Sequence, residues 1–138
     1  MREIKFRGKR LDNGEWVYGD LLHIDGSCLI YFGCKDKTIE LNIDRNYIIA
    51  VEIFRDEIAV VNPSTVGQYT GLKDKNGKEI WEGDIVEWEN LMKTNMRSVI
   101  AYRDRMFCFV DANNEPEEIW CCSFTKIGNI HDNPELLK

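Results

Sequence analysis

The chain has 138 residues, a net charge of −6 at neutral pH and a sequence pI near 5.0. That length fits one domain or two small lobes sharing a core, and 43% hydrophobic with 30% charged residues is the balance of an ordinary soluble globular protein. The acidic balance argues against a general phosphate-backbone binder, and no apolar run approaches the roughly 20 residues that span a bilayer.

The opening MREIKFRGKR carries charge without an apolar stretch behind it, unlike a secretory signal, which predicts a cytoplasmic protein. Arg2, Lys5, Arg7, Lys9 and Arg10 stand there against a single Glu3. Such a strip either touches nucleic acid or an acidic partner, or is a solvated strand edge that discourages aggregation. In IKFR the apolar Ile4 and Phe6 alternate with Lys5 and Arg7, predicting a strand over Glu3–Arg7 with one wet face.

Turn signals then recur about every eight to twelve residues, with runs rich in Val, Ile, Tyr, Phe and Trp between them, as in a β-sandwich or small barrel. Further strands are predicted at Glu15–Leu22, Cys28–Phe32, Tyr47–Phe54 and Glu57–Val61. Asn62-Pro63 breaks the pattern, because the residue before proline avoids helix and proline cannot donate to a ladder. The later half offers Val66–Thr70, Ile85–Glu89, Arg97–Tyr102, Met106–Asp111, Ile119–Ser123 and Thr125–Ile130, with a hairpin around Arg103–Asp104–Arg105. Helix is scarce: Trp88–Met96 lacks a clean 3.6 period, and Asn133 with Pro134 predicts one capped terminal turn whose leucines tie the tail to the body.

Residues 68–88, QYTGLKDKNGKEIWEGDIVEW, restate residues 6–22, FRGKRLDNGEWVYGDLL. Gly8 and Gly71 precede the pairs Asn13-Gly14 and Asn76-Gly77, tryptophans follow at Trp16 and Trp81, and Gly19-Asp20 and Gly83-Asp84 close the copies. Asn-Gly tolerates the two positive φ angles of a type I′ hairpin turn, a later glycine permits a bend or bulge, and Asp accepts backbone N–H groups in an Asx-turn. The recurrence reads as scaffold, arising by duplication or by convergence on good turn residues.

QYTGLKDKNGKEIWEGDIV, followed near the end by IGNIHDNPELL, resembles the YopX family of phage and prophage proteins, and REIKFRGK is similar to that family's opening strand. The resemblance spans essentially the whole chain. One departure is His131, where the family more usually has an aromatic residue. The resemblance implies a mainly β protein with an SH3-like barrel in its C-terminal portion, encoded by phages and prophages of bacteria. It implies no activity or catalytic residues.

Chemistry-bearing patterns are sparse. Five cysteines, Cys28, Cys34, Cys108, Cys121 and Cys122, form no CxxC pair, and His23 and His131 lie at no zinc-ligand spacing from a cysteine pair, so reduced structural cysteines and no metal are predicted. No serine lies in a GxSxG elbow, and no glycine-rich phosphate loop occurs, so no catalytic residue and no cofactor are assigned. Glu82, Asp84, Glu87 and Glu89 crowd WEGDIVEWE, and on a strand Glu87 and Glu89 share a face at roughly 7 Å, either as a Mg²⁺ or acid–base pair or as a solvated side. Tyr69, Trp81, Trp88, Tyr102 and Trp120 supply barrel filling, and one or two left on the surface would serve a binding site. Trp81 leads those candidates because it lies between two turns, with the plug of a barrel end as its other reading, and Tyr69 follows.

The expected architecture is a mainly β protein with little helix: an N-terminal β lobe over residues 1–61 packed with a small SH3-like barrel over 62–138, or one integrated domain. The expected function is a non-enzymatic binding module engaging a host or phage macromolecule in the bacterial cytoplasm, with Tyr69, Trp81, Glu87, Glu89, Arg2, Lys5 and Arg7 as binding candidates. Its acidic surface is suited to occupying a site meant for nucleic acid on a host enzyme. The alternatives are a nucleic-acid binder using the N-terminal basic strip with Arg103 and Arg105, and a metal-dependent enzyme using carboxylates 82–89. Open β edges permit a homo-oligomer, and no membrane contact is expected.

Overall fold

The computed structural model describes residues 2–33, 57–119 and 123–138, which form a mainly β protein. The expected strand Tyr47–Phe54 lies outside the described residues, as do Cys34, Trp120, Cys121 and Cys122. The chain gathers into two compact units, Lys5–Val66 and Met1–Ile4 with Gly67–Lys138.

In the unit Lys5–Val66, strands β1 (Phe6–Lys9), β2 (Trp16–Ile24), β3 (Ser27–Tyr31) and β4 (Ile58–Val61) pair antiparallel in sequence order. The first strand begins at Phe6 rather than Glu3, where its register with β2 starts opposite Gly19. Asp25 and Gly26 join β2 to β3 with φ of 48° and 78°, the two left-handed residues that a type I′ turn needs. Period-two alternation sends Cys28 and Ile30 inward with Val61, and Phe6, Val17, Leu21 and Val66 pack against them. At the Asn62-Pro63 break a single 3₁₀ turn, Pro63–Thr65, is capped by the Asn62 side chain.

The second unit contains β5 (Gly67–Lys73), β6 (Glu79–Trp81), β7 (Asp84–Glu89), β8 (Asn95–Arg103), β9 (Met106–Val110), β10 (Pro116–Glu118) and β11 (Phe124–Asn129). Five of them form an antiparallel sheet in the order β10-β9-β8-β7-β11. Among the described residues no pairing joins β10 to β11, so the barrel expected for the C-terminal half is not closed there. All three residues of β10 are exposed, including Glu117 and Glu118, and a charged strand opening on proline is suited to a sheet edge.

The core of this unit is aromatic. Ile80, Val86, Trp88, Ile100, Phe109 and Phe124 are buried together. The Trp88 and Phe109 rings stack at 5.8 Å, Phe124 meets Phe109 edge-on at 5.5 Å, and the Trp88 indole N–H donates to Ser98 Oγ at 3.1 Å. Aromatic pairs in these offset and edge-to-face geometries contribute about 0.5–1.5 kcal/mol beyond their area burial. The window Trp88–Met96, aperiodic as a helix, is the β7–β8 hairpin.

The terminal turn follows its prediction in place but differs in chemistry. A 3₁₀ helix, Pro134–Leu137, starts after Asn133, whose side chain makes no cap. Asn133 Oδ1 instead accepts the Asn129 N–H. Leu136 packs at Gly128, where a Cβ would stand 2.9 Å from its Cδ1, whereas Leu137 remains 42% exposed.

Candidate functional site

The glycine-rich motif at 68–88 is structural throughout its turns. Lys75, Asn76 and Gly77 join β5 to β6, with Gly77 donating to the Asp74 carbonyl and Asp74 N–H to the Lys78 carbonyl. Only Gly77 has positive φ, at 81°, so the connection is a three-residue loop ending in a left-handed glycine, not the expected type I′ turn. Asn13-Gly14 departs from that expectation in the same way, with only Gly14 left-handed at 73° and a loop one residue longer. Asp74 is the fixed point of the second loop. Its Oδ1 accepts the N–H groups of Asn76 and Lys78, and its Oδ2 accepts that of Lys126 on β11. Burial pushes this carboxyl upward, but the three backbone donors outweigh burial and hold it below the usual carboxylate range.

Tyr69 and Trp81 are brought together as a cross-strand pair with ring centroids 5.2 Å apart. They are only 5% and 3% exposed. Trp81 ends β6 rather than standing in a loop, and its N–H donates to Asp84 Oδ2. A ring this covered has no face for a ligand, so the surface-aromatic expectation is corrected at both positions in favour of packing.

The acidic cluster is divided among several tasks. Glu82 Oε2 accepts the Gln68 N–H at 2.7 Å. Asp84 is fully buried, with Lys126 Nζ 2.9 Å from Oδ2. Glu87 lies opposite Arg97 and accepts from its Nε at 3.1 Å, while Arg97 also donates to the Leu136 carbonyl. Glu89 is exposed at the end of β7. Among the described residues no group of three or more His, Cys, Asp or Glu side chains could hold a metal ion.

The N-terminal basic residues separate as well. Arg7 is 2% exposed, and its guanidinium lies 4.6 Å from the centroid of the Trp16 ring. Lys9 approaches the same ring at 5.5 Å, so part of this strip serves as cation–π cover for a half-buried tryptophan. Arg10 forms two bonds to Asp12, at 2.8 and 2.6 Å. Lys5 is half-buried at the head of its unit, and Arg2 belongs to the other unit.

Two surface features escaped the sequence reading. At one end of the five-stranded sheet, the β7–β8 turn leaves Leu91 96% and Met92 86% exposed. This turn is well fixed: Asn90 Oδ1 accepts the N–H groups of Met92 and Thr94, and Lys93 takes a φ of 58°. The other feature lies toward the β8–β9 turn, where Tyr102 and Phe107 pair across the strands with centroids 5.1 Å apart, and the Arg2 guanidinium stands 5.9 Å from the Phe107 centroid. In the sequence Tyr102 is one barrel aromatic among several. Apolar residues in a turn without periodicity gave no signal for Leu91 and Met92.

Antiparallel strands joined by Asx-stabilised turns, with IGNIHDNPELL folded against the strand that opens at Gly83-Asp84, define a mainly β scaffold whose repeated motifs are structural. In that closing motif Asn129 Oδ1 accepts the N–H groups of His131 and Asp132, and the Ile130 N–H donates to the Gly83 carbonyl. The chain belongs to the YopX protein family, which it matches over residues 5–138. It is also similar to a crystal structure of protein EF1440 from Enterococcus faecalis, with 25% identity over 100% of both chains and a TM-score of 0.56. No curated protein matches it. No helix among the described residues is long and apolar enough to cross a membrane.

Proposed function

We propose that this YopX-family chain is a non-enzymatic binding module that engages a phage or host macromolecule in the bacterial cytoplasm. The reading is carried by Leu91 and Met92, two large apolar side chains held almost wholly in water on an ordered turn. A single exposed leucine is unremarkable. An adjacent pair on a preorganised turn supplies what interface anchors need, since burying each such side chain gains about 1.5–3 kcal/mol and little order remains to be lost on binding. The engagement of Glu82, Asp84 and Glu87 by backbone N–H groups and basic side chains favours structural use of the acidic stretch over catalysis.

The test is a photo-crosslinking amino acid placed at Met92 in cells of the source bacterium. A discrete adduct that disappears when Leu91→Ser is added supports the reading. Labelling no different from that of the same probe at exposed Glu118 sinks it.

A further inference from the structure

On β8 the even-numbered residues Ser98 and Ile100 face the core, and Phe109 stands opposite Ile100 on β9. Two residues further along the same face come Tyr102 and its partner Phe107. The core ends before them: Tyr102 is 55% exposed and Phe107 half-buried. The inner face of the sheet therefore continues into solvent as an aromatic ledge, with the rings at 69° to one another.

Arg2 borders that ledge. Its aliphatic stem crosses Gly71, where a Cβ would lie 3.3 Å from both Cγ and Cδ of Arg2, and Gly71 has a φ of 84°. Arg103 and Arg105 flank Asp104 in the adjoining turn, and all three are exposed. A chain of net charge −6 thus carries three arginines at and beside its ledge, against Asp104 and the Glu3 that follows Arg2. Near physiological salt the Debye length is about 8 Å, so at contact these nearby charges outweigh more distant carboxylates.

Building on the binding-module reading, we propose that Tyr102, Phe107 and Arg2 form a stacking site for an unpaired base of single-stranded nucleic acid, with Arg105 in the adjoining turn meeting a flanking phosphate. An exposed ring accepts any base through its π face, and a guanidinium can stack on a base and pair with phosphate. Of the N-terminal strip the site uses Arg2 alone, and it uses no residue of the acidic stretch.

The experiment is fluorescence anisotropy of a short labelled oligothymidylate and its RNA counterpart, titrated with the intact chain at low and near-physiological salt. Saturable binding that weakens with salt is expected, by a log–log slope of about −0.7 for each neutralised phosphate. Tyr102→Ala should weaken binding about tenfold or more, as loss of one stacked base does, while Tyr102→Phe keeps the ring and most of the affinity. Arg2→Gln should weaken it without altering the far-UV spectrum. Absence of saturable binding at low salt overturns the stacking site, as does binding indifferent to Tyr102→Ala. A crosslinker at Tyr102 that captures only protein in cells overturns it too. The Met92 adduct is read separately, so failure of the stacking site and failure of the binding-module reading give different patterns.

Discussion

The Oδ2 atom of Asp74 accepts the backbone N–H of Lys126 at 3.0 Å across 52 positions of sequence, while Oδ1 of the same carboxylate organises its own turn. One side chain thus fixes the β5–β6 loop and anchors it to β11. The Lys75 N–H adds a backbone bond to the Phe124 carbonyl on the same strand.

Asp74→Ala removes the acceptor for three backbone N–H groups, and at about 1 kcal/mol or more for each the loss should reach about 3 kcal/mol. Melting should fall by roughly 10 °C for a chain of this size. Asp74→Asn retains one oxygen, which can serve the turn or Lys126 but not both, so it should fall between wild type and Asp74→Ala. Urea unfolding of the three proteins gives the order directly.

The same carboxylate makes stability depend on acid. Its native pKa is held down, below an unfolded value of about 3.9. Its contribution is therefore complete above the unfolded value and lost as pH falls through the lower native one. The stability gap between wild type and Asp74→Asn should stay level from neutral pH to about pH 5 and narrow below about pH 4. A gap of constant width down to acid unfolding would remove Asp74 as its source.

Glycines in the two similar motifs should respond unequally to alanine. A Cβ on Gly77 meets nothing within 4 Å, so only its left-handed φ of 81° is strained, at a cost of about 1–2 kcal/mol. A Cβ on Gly19 would collide with the Tyr31 carbonyl oxygen, at the end of the β2–β3 ladder. Gly19→Ala should therefore yield little folded protein, whereas Gly77→Ala should fold with a modestly lowered melting point.

Glu87 and Arg97 form a cross-strand ion pair whose side chains are 32% and 46% exposed. Solvent and salt screen such pairs, and a double-mutant cycle with Glu87→Gln and Arg97→Gln should return a coupling of about 0.2–1 kcal/mol that shrinks as salt rises. Manganese titration of wild type and Glu87→Gln should give indistinguishable curves. A saturable site lost in Glu87→Gln would restore a metal role.

Burial pushes the Cys108 thiol above its usual range despite the nearby Arg103 guanidinium. Because the thiolate is the reactive form, Cys108 should resist alkylation in the native protein and react only as the sheet opens. Mass mapping of labelled peptides across a urea series would measure that protection.

The β character was legible because alternating apolar residues and turn chemistry gave the same answer along the chain. Arg97–Tyr102 lies within β8, and Met106–Asp111 covers all of β9. Turn type was less legible. Asn-Gly permits left-handed backbone at both residues, yet each Asn-Gly loop uses it only at the glycine, while type I′ geometry occurs at Asp25-Gly26 and at Asp104-Arg105, with φ of 50° and 70° in the latter. Loop length and strand register, set by distant pairing, override the local preference. β6 and β10 are short enough that their periodicity carries no signal. Site residues were hardest to read, because sequence shows that Trp81 is large and amphipathic but not that Tyr69 covers it. Tyr102 has the same composition of neighbours as a core residue and is exposed only because the core stops at Ile100 and Phe109.

The position of β11 against β7 has a consequence for biosynthesis. β7, β8 and β9 are consecutive and can zip together as the chain emerges from the ribosome, since each pairs with its neighbour in sequence. Phe124 and the Lys126 N–H emerge long after Phe109 and Asp74, the groups they complete. Until then the β7 edge of the nascent sheet is unpaired and its aromatic layer unsealed, and non-local closure of this kind is the slow part of folding. β11 is therefore the strand that makes the unit whole, and the core stays unsealed until it has emerged and paired with β7.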